Sequence, residues 1–161
     1  PKGLALSDDG KWLYVADADG VTVIDVDAAR ITQRIDLPGA AHLNDIVNDA
    51  GTLYVTDSET RRIYAVKDGK ASVHLEGDSL NGPNGVLVHE GRLYVLDDDR
   101  LKRQEADGSL TVLAEGMPGG VDGVEHVGNG DFLVSVWSGA LWYLPAGGAK
   151  QLLFDGKAVK T

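Results

Sequence analysis

Short apolar runs separated by turns rich in Asp, Asn and Gly recur along the whole chain. Leu13-Tyr14-Val15, Leu53-Tyr54-Val55, Leu93-Tyr94-Val95 and Phe132-Leu133-Val134 are one run met four times. The stretch around each run repeats as well. PKGLALSDDGKWLYVADAD starts at Pro1, LNDIVNDAGTLYVTDSE at Leu43, PNGVLVHEGRLYVLDDD at Pro83 and VDGVEHVGNGDFLVSVWSG at Val121. A repeat of this length governs every later reading of the chain. Lys2, Asn44, Asn84 and Asp122 fall at one equivalent position, 42, 40 and 38 residues apart. Asp17, Asp57, Asp97 and Trp137 form a second series, each 40 apart.

Each repeat predicts four strands. They lie at 3–7, 13–16, 20–25 and 30–36; at 45–47, 53–56, 62–67 and 71–76; at 85–89, 93–96, 101–105 and 110–115; and at 123–127, 132–136, 140–143 and 150–154. These segments are rich in Val, Leu, Ile and Tyr and end at turn signals such as Asp8-Asp9-Gly10, Asp68-Gly69 and Asp107-Gly108. No long window carries a helical apolar period. Four strands in about 40 residues is the signature of a propeller blade. The expected fold is therefore all-β: a β-propeller with four four-stranded blades, at about 1–40, 41–80, 81–119 and 120–161. The first strand of each blade lines the channel, with Leu4, Ala5, Ile46, Val47, Val86, Leu87 and Val124 as the inner core. The GH and WD dipeptides of WD-type blades are missing. Pro1 opens on an innermost strand and 150–154 is an outermost one, so no strand remains to zip a ring shut. The expectation is four blades of a larger, six-bladed propeller. Its end blades would expose apolar faces and associate.

Composition narrows the function. With 161 residues, 43% apolar and 25% charged, the chain has enough material for a proper core. Its net charge of −10 argues against a nucleic-acid partner, which would need clustered Lys and Arg. The apolar runs are too short for a membrane helix. With no cysteine there is no disulfide, thiol catalysis or zinc–thiolate site.

The chemistry concentrates at the start of the innermost strands. Lys2, Asn44, Asn84 and Asp122 are expected to converge on one end of the channel. Two amides and a carboxylate supply oxygen ligands of the kind Ca²⁺ takes. Asp45 adds a nearby acceptor, and His42 and His126 are expected close to the same end as base or substrate contacts. Asn, Asp and Gly also begin strands simply because they cap turns. Asp17, Asp57 and Asp97 are read as such caps. Trp137 breaks their series and is read as packing in the core or channel. The charges at 59–62 and 97–100 read as solvated loop faces. His74 and His89 have no evident partner.

Pro83-Asn84-Gly85, Asp122-Gly123 and Asn44-Asp45, each followed by strand, turn and a second strand, resemble the gluconolactonase/regucalcin-like propeller family. Pro1-Lys2-Gly3 and Leu43-Asn44-Asp45 look like a bacterial exported branch of it, whose members often carry the name periplasmic ATP/GTP-binding protein. The resemblance covers nearly the whole chain. It implies that Asn84 and Asp122 bind one divalent ion, calcium or zinc. It further implies that Asp122 is the general base for lactone hydrolysis and that Asn44 contacts metal-bound water or substrate. The family's further ligand, a Glu from an early blade, has no counterpart here, and the family's Pro-Asp-Gly is Val121-Asp122-Gly123. The resemblance also implies a periplasmic or secreted location.

Two functions compete. One is a metal-dependent hydrolase of a lactone or related small ester, with Asp122 catalytic, Asn44 and His42 on the substrate, Asn84 and Asp122 on calcium, and a small molecule as partner. The other is a non-catalytic propeller of NHL type that binds a ligand or protein. The chain lacks a Gly-x-Ser-x-Gly elbow, an HExxH motif and a phosphate-binding Gly-rich loop, which disfavours serine hydrolysis, zincin chemistry and a nucleotide site.

Overall fold

Side-chain alternation along each strand builds the architecture. The structure is a computed structural model and describes residues 1–156, so the expected end of the fourth blade, 157–161, lies outside the described residues. Four antiparallel sheets follow one another, each with its strands in chain order. The first holds β1 (Leu4–Leu6), β2 (Trp12–Asp17), β3 (Gly20–Asp25) and β4 (Arg30–Asp36). The second holds β5 (Leu43–Asp49), β6 (Thr52–Asp57), β7 (Arg62–Lys67) and β8 (Lys70–Glu76). The third holds β9 (Pro83–His89), β10 (Arg92–Asp97), β11 (Arg100–Gln104) and β12 (Leu110–Ala114). The fourth holds β13 (Val121–Gly128), β14 (Asp131–Val136), β15 (Ala140–Leu144) and β16 (Gln151–Asp155). Tight turns join the strands. At Asp68-Gly69 both residues have positive φ, 50° and 71°, which matches the twist of the flanking strands and calls for Gly at the second place.

Each blade meets the next through one buried apolar cluster. Leu53 and Val55 turn back onto Ala16, Val21 and Val23 of the first blade. Tyr54 and Val47, on the other face, pack forward with Leu93 and Val95 of the third blade. Tyr94 and Leu96 then meet Phe132, Val134 and Leu144 of the fourth. Because the strand period is two, one strand serves two interfaces. Each fully buried aliphatic side chain contributes about 1.5–3 kcal/mol. The innermost strands β1, β5, β9 and β13 pack side by side around the channel. This is a β-propeller arrangement of four blades.

Three expectations are corrected. Leu4 does not join the inner core. It pairs with Val15 as Ile46 pairs with Val55, and it stands 60% exposed while Ile46 is 3%. The face Ile46 turns to the preceding blade has, at Leu4, no blade among the described residues to meet. Strands β5, β9 and β13 begin two residues earlier than expected, at Leu43, Pro83 and Val121. Finally, Leu43 pairs with Asp57 and Val121 pairs with Val136, so Val136 holds the fourth place in the aspartate series. Trp137 lies one residue beyond it and is 84% exposed, not packed in the core.

Candidate functional site at the channel mouth

The site residues sit on bulges. Between the pairs Leu43↔Asp57 and Ile46↔Val55, Asn44 and Asp45 together face Thr56. Asn84 and Gly85 face Leu96 in the same way, and Asp122 and Gly123 face Ser135. A two-against-one bulge bends the strand and re-aims a side chain. It also leaves a backbone N–H without a ladder partner. Thr56 Oγ1 takes the Asp45 N–H at 2.9 Å, and Ser135 Oγ takes the Gly123 N–H at 2.9 Å. In the first blade Lys2 and Gly3 stand opposite Ala16, bonded to it through Lys2 N–H and Gly3 O.

These bulges bring Lys2, Asn44, Asp45, Asn84 and Asp122 around one cavity of about 700 Å³, with Gly119, Gly120 and Trp137 on its rim. Hydrogen bonds, most of them between blades, hold this cluster. Thr56 Oγ1 donates to Asn84 O at 2.7 Å and Ser58 Oγ to Pro83 O at 2.7 Å. Val86 N–H donates to Asp45 Oδ2 at 2.9 Å. Asn84 Nδ2 donates to Val121 O at 2.9 Å, and Asn44 Nδ2 to Ser58 Oγ at 2.9 Å. Both amide nitrogens are thus engaged, and both amide oxygens are without a donor among the described residues. The exposed Asp122 carboxylate also takes no hydrogen bond from the described residues. Burial pushes the Asp45 carboxyl above its ordinary range, and the Asp122 charge adds to this, against the Val86 and Ile46 N–H bonds.

The inner strands approach closely here. A Cβ on Gly3 would lie 2.6 Å from Asp45 Cα, and one on Gly85 would lie 2.3 Å from Asp122 O. Asp45 occupies the same place in the second blade, and its carboxylate spans to the third.

The histidines divide. His42 is held at the mouth, its Nε2 2.5 Å from Lys2 Nζ and its N–H on Asp57, but it does not line the cavity. His126 is not at the mouth. It lies near the far end of β13, stacked on His89 at 3.6 Å between ring centroids and edge-on to Phe132. The four residues separating it from Asp122 along an extended strand amount to about 13 Å. His89 therefore has a partner, as does His74, which bonds Gln104 at 2.9 Å and meets Tyr54 edge-on.

The aspartate series serves the backbone. Asp57, fully buried, accepts N–H bonds from Ala41, His42, Glu59 and Thr60. Burial raises its pKa, but these bonds outweigh it and hold the carboxyl below the ordinary range. Asp97 accepts from Asn81 and Gly82 and pairs with buried Lys102 at 2.5 Å, so it is no solvated loop charge. The Gly119-Gly120 turn is a site feature that the repeat pattern did not single out, and its visible sign is the Gly-Gly pair immediately before Val121-Asp122-Gly123. Trp137, which stood out as the break in the aspartate series, lines the same cavity.

Amide and carboxylate oxygens suit a hard cation, and the free oxygens of Asn44, Asn84 and Asp122 are of that kind. Among the described residues no three His, Cys, Asp or Glu side chains gather as a metal cluster. Lys2 also lines this cavity, with its Nζ turned to His42 Nε2.

No protein-family model matches the sequence, and no curated protein matches it. Solved structures match its fold. In a nidogen/laminin complex the TM-score is 0.82 at 21% identity, over 96% of this chain and 64% of that one. A streptogramin B lyase gives 0.74 at 17%, over 94% and 53%. Catalytically inactive virginiamycin B lyase from Staphylococcus aureus, with quinupristin, gives 0.76 at 15%, over 98% and 56%. These neighbours are β-propellers, an enzyme among them, and the chain spans 53–64% of their lengths. At these identities the likeness concerns the fold.

Proposed function

We propose that the channel mouth belongs to a hydrolase of a lactone or related small ester, of the gluconolactonase/regucalcin-like kind. The observation that carries this reading is the convergence of Asn44, Asn84 and Asp122, from three separate blades, on one open cavity, their side-chain oxygens without a donor among the described residues. Asn84 and Asp122 would hold a divalent cation, which when bound supplies Lewis-acid polarisation of the ester carbonyl. Asp122, exposed and without a donor among the described residues, takes the proton of the attacking water as general base and returns it to the alcohol oxygen as the acyl C–O bond breaks. Asn44, fixed through Ser58, orients the substrate edge, and His42 acts through Lys2. Asp45 ties the second blade to the third and keeps Asn44 and Asn84 at a constant separation. Export to the periplasm or beyond belongs to the same proposal.

The competing reading is ligand binding without turnover. Lys2 favours it, since a cationic residue among those lining the cavity offsets part of the Asp122 charge without a metal. A pH-stat assay of the full-length protein against a lactone panel, with calcium and with chelator, separates the two. The hydrolase reading expects acid release that falls at least about 100-fold in Asp122→Asn. Absence of turnover on every lactone, or full turnover in Asp122→Asn, overturns it.

A further inference from the structure

Trp137 is 84% exposed although tryptophan is among the side chains that gain most from burial. The indole is not on a loose loop. Its backbone N–H donates to Gly120 O at 2.7 Å, and Ser138 N–H donates to Gly119 O at 3.2 Å. Gly119 has φ +109°, and a Cβ there would lie 2.3 Å from Ser138 Oγ, so the Gly-Gly turn is shaped around this segment. The backbone that carries the indole is thus fixed, and Trp137 lines the cavity that Asp122, Asn84 and Asn44 also line.

The repeat shows that the indole is a local departure. In register with the aspartate series, the residues one place beyond it are Ala18, Ser58, Asp98 and Trp137. Three are small or polar. The aromatic ring stands in the same blade as Asp122, the carboxylate among the four equivalent mouth residues. An aromatic side chain and a carboxylate with no partner among the described residues therefore line one space.

We propose that Trp137 is the stacking wall of this site and determines its specificity. A ligand with a flat ring lies with one face on the indole, and its polar edge meets Asn84, Asn44 and Asp122. Ring face and indole make dispersion and C–H or π contacts that an acyclic analogue of equal polarity cannot reproduce. If the hydrolase reading holds, the substrate is a cyclic ester and acyclic esters are poor substrates; the ring preference itself does not need turnover.

The test uses the full-length protein. Indole emission assigned to Trp137, as the difference between wild type and Trp137→Phe, is followed during titration with δ-valerolactam, a ring too slow to hydrolyse. N-methylacetamide serves as the acyclic counterpart. Saturable change with the ring and none with the acyclic amide is expected. Trp137→Ala should weaken ring binding about tenfold, and Trp137→Phe should recover most of it. On any lactone that is turned over, Trp137→Ala should raise KM about tenfold and leave kcat within about twofold. Ring binding without turnover supports the wall and counts against the hydrolase. Turnover with unchanged KM in Trp137→Ala does the reverse. Failure of every ring probe to bind overturns the inference, as does an indole already shielded from acrylamide in the ligand-free protein.

Discussion

Replacing Gly85 by Ala probes how the mouth is assembled. The new Cβ would lie 2.3 Å from Asp122 O and 3.0 Å from Leu96 Cδ1. The first contact is about 1 Å short of ordinary van der Waals separation. Its partner is a backbone carbonyl, so no rotamer change relieves it. The Asp122 segment is also pinned, by the pairs Val121↔Val136 and Val124↔Val134 and by the Asn84 Nδ2 bond to Val121 O. The third and fourth blades must therefore separate locally, as in overpacked cores that lose about 1–3 kcal/mol. Gly85 is outside the left-handed region, so Ala gains about 0.4–1 kcal/mol from the stiffer unfolded chain. The net expectation is a loss of about 1–2 kcal/mol, or a Tm lower by roughly 2–8 °C. Gly82→Ala is the control, since its nearest neighbour would be Ser58 O at 3.8 Å and its φ is unremarkable. Urea and thermal unfolding followed by circular dichroism measure both. Equal stability of the two variants would refute the close approach of β9 and β13.

Other expectations follow from the polar anchors. Asp57→Ala removes the acceptor of four backbone N–H groups and should cost roughly 2–4 kcal/mol at pH 7 in urea unfolding. Because its folded pKa is depressed, that contribution is present above the ordinary value of 3.8 and disappears as pH falls through the folded one, so the two stability curves converge in acid. Asp45 behaves oppositely. Its raised pKa gives stability that is complete below 3.8 and lost as pH rises through the folded value. Asp45→Asn keeps an oxygen for Val86 N–H, so in calcium-free buffer at pH 7 it should be at least as stable as wild type, with a flatter pH dependence. Lys102→Met strands the fully buried Asp97 carboxylate beside Ser79 O and should cost roughly 3–5 kcal/mol by the same unfolding assay.

Much of the fold is legible because alternation in a strand depends on few neighbours. Leu53, Tyr54 and Val55 declare two faces by themselves, and four copies fix the blade. That Lys2, Asn44, Asn84 and Asp122 share one cavity was also legible, since equivalent positions in a repeat converge, but the places of His42 and His126, which stand outside that series, were not. The bulges were not. Asn44 and Asp45 against Thr56 leave the apolar pattern on either side intact, and only the pairing reveals the extra residue. Equal steps of 40 misplaced Trp137, because Asp97 and its true counterpart Val136 are 39 apart. Contacts between blades were illegible for a different reason. The stacking of His89 on His126 depends on how two separate hairpins end, and no local pattern carries that. Leu4 shows the same limit: its sequence says apolar, but exposure depends on a neighbouring surface.

The proposed cation and ligand site at the channel mouth rests on Asn84 and Asp122. Calcium titration calorimetry on the full-length protein, beside its Asp122→Ala variant, is its sharpest test. Saturable binding is expected in the wild type, abolished by Asp122→Ala with the unfolding midpoint unchanged in calcium-free buffer. No calcium binding to the wild type, or binding that survives Asp122→Ala, would contradict it and leave the oxygens of Asn44, Asn84 and Asp122 as solvated strand-start chemistry.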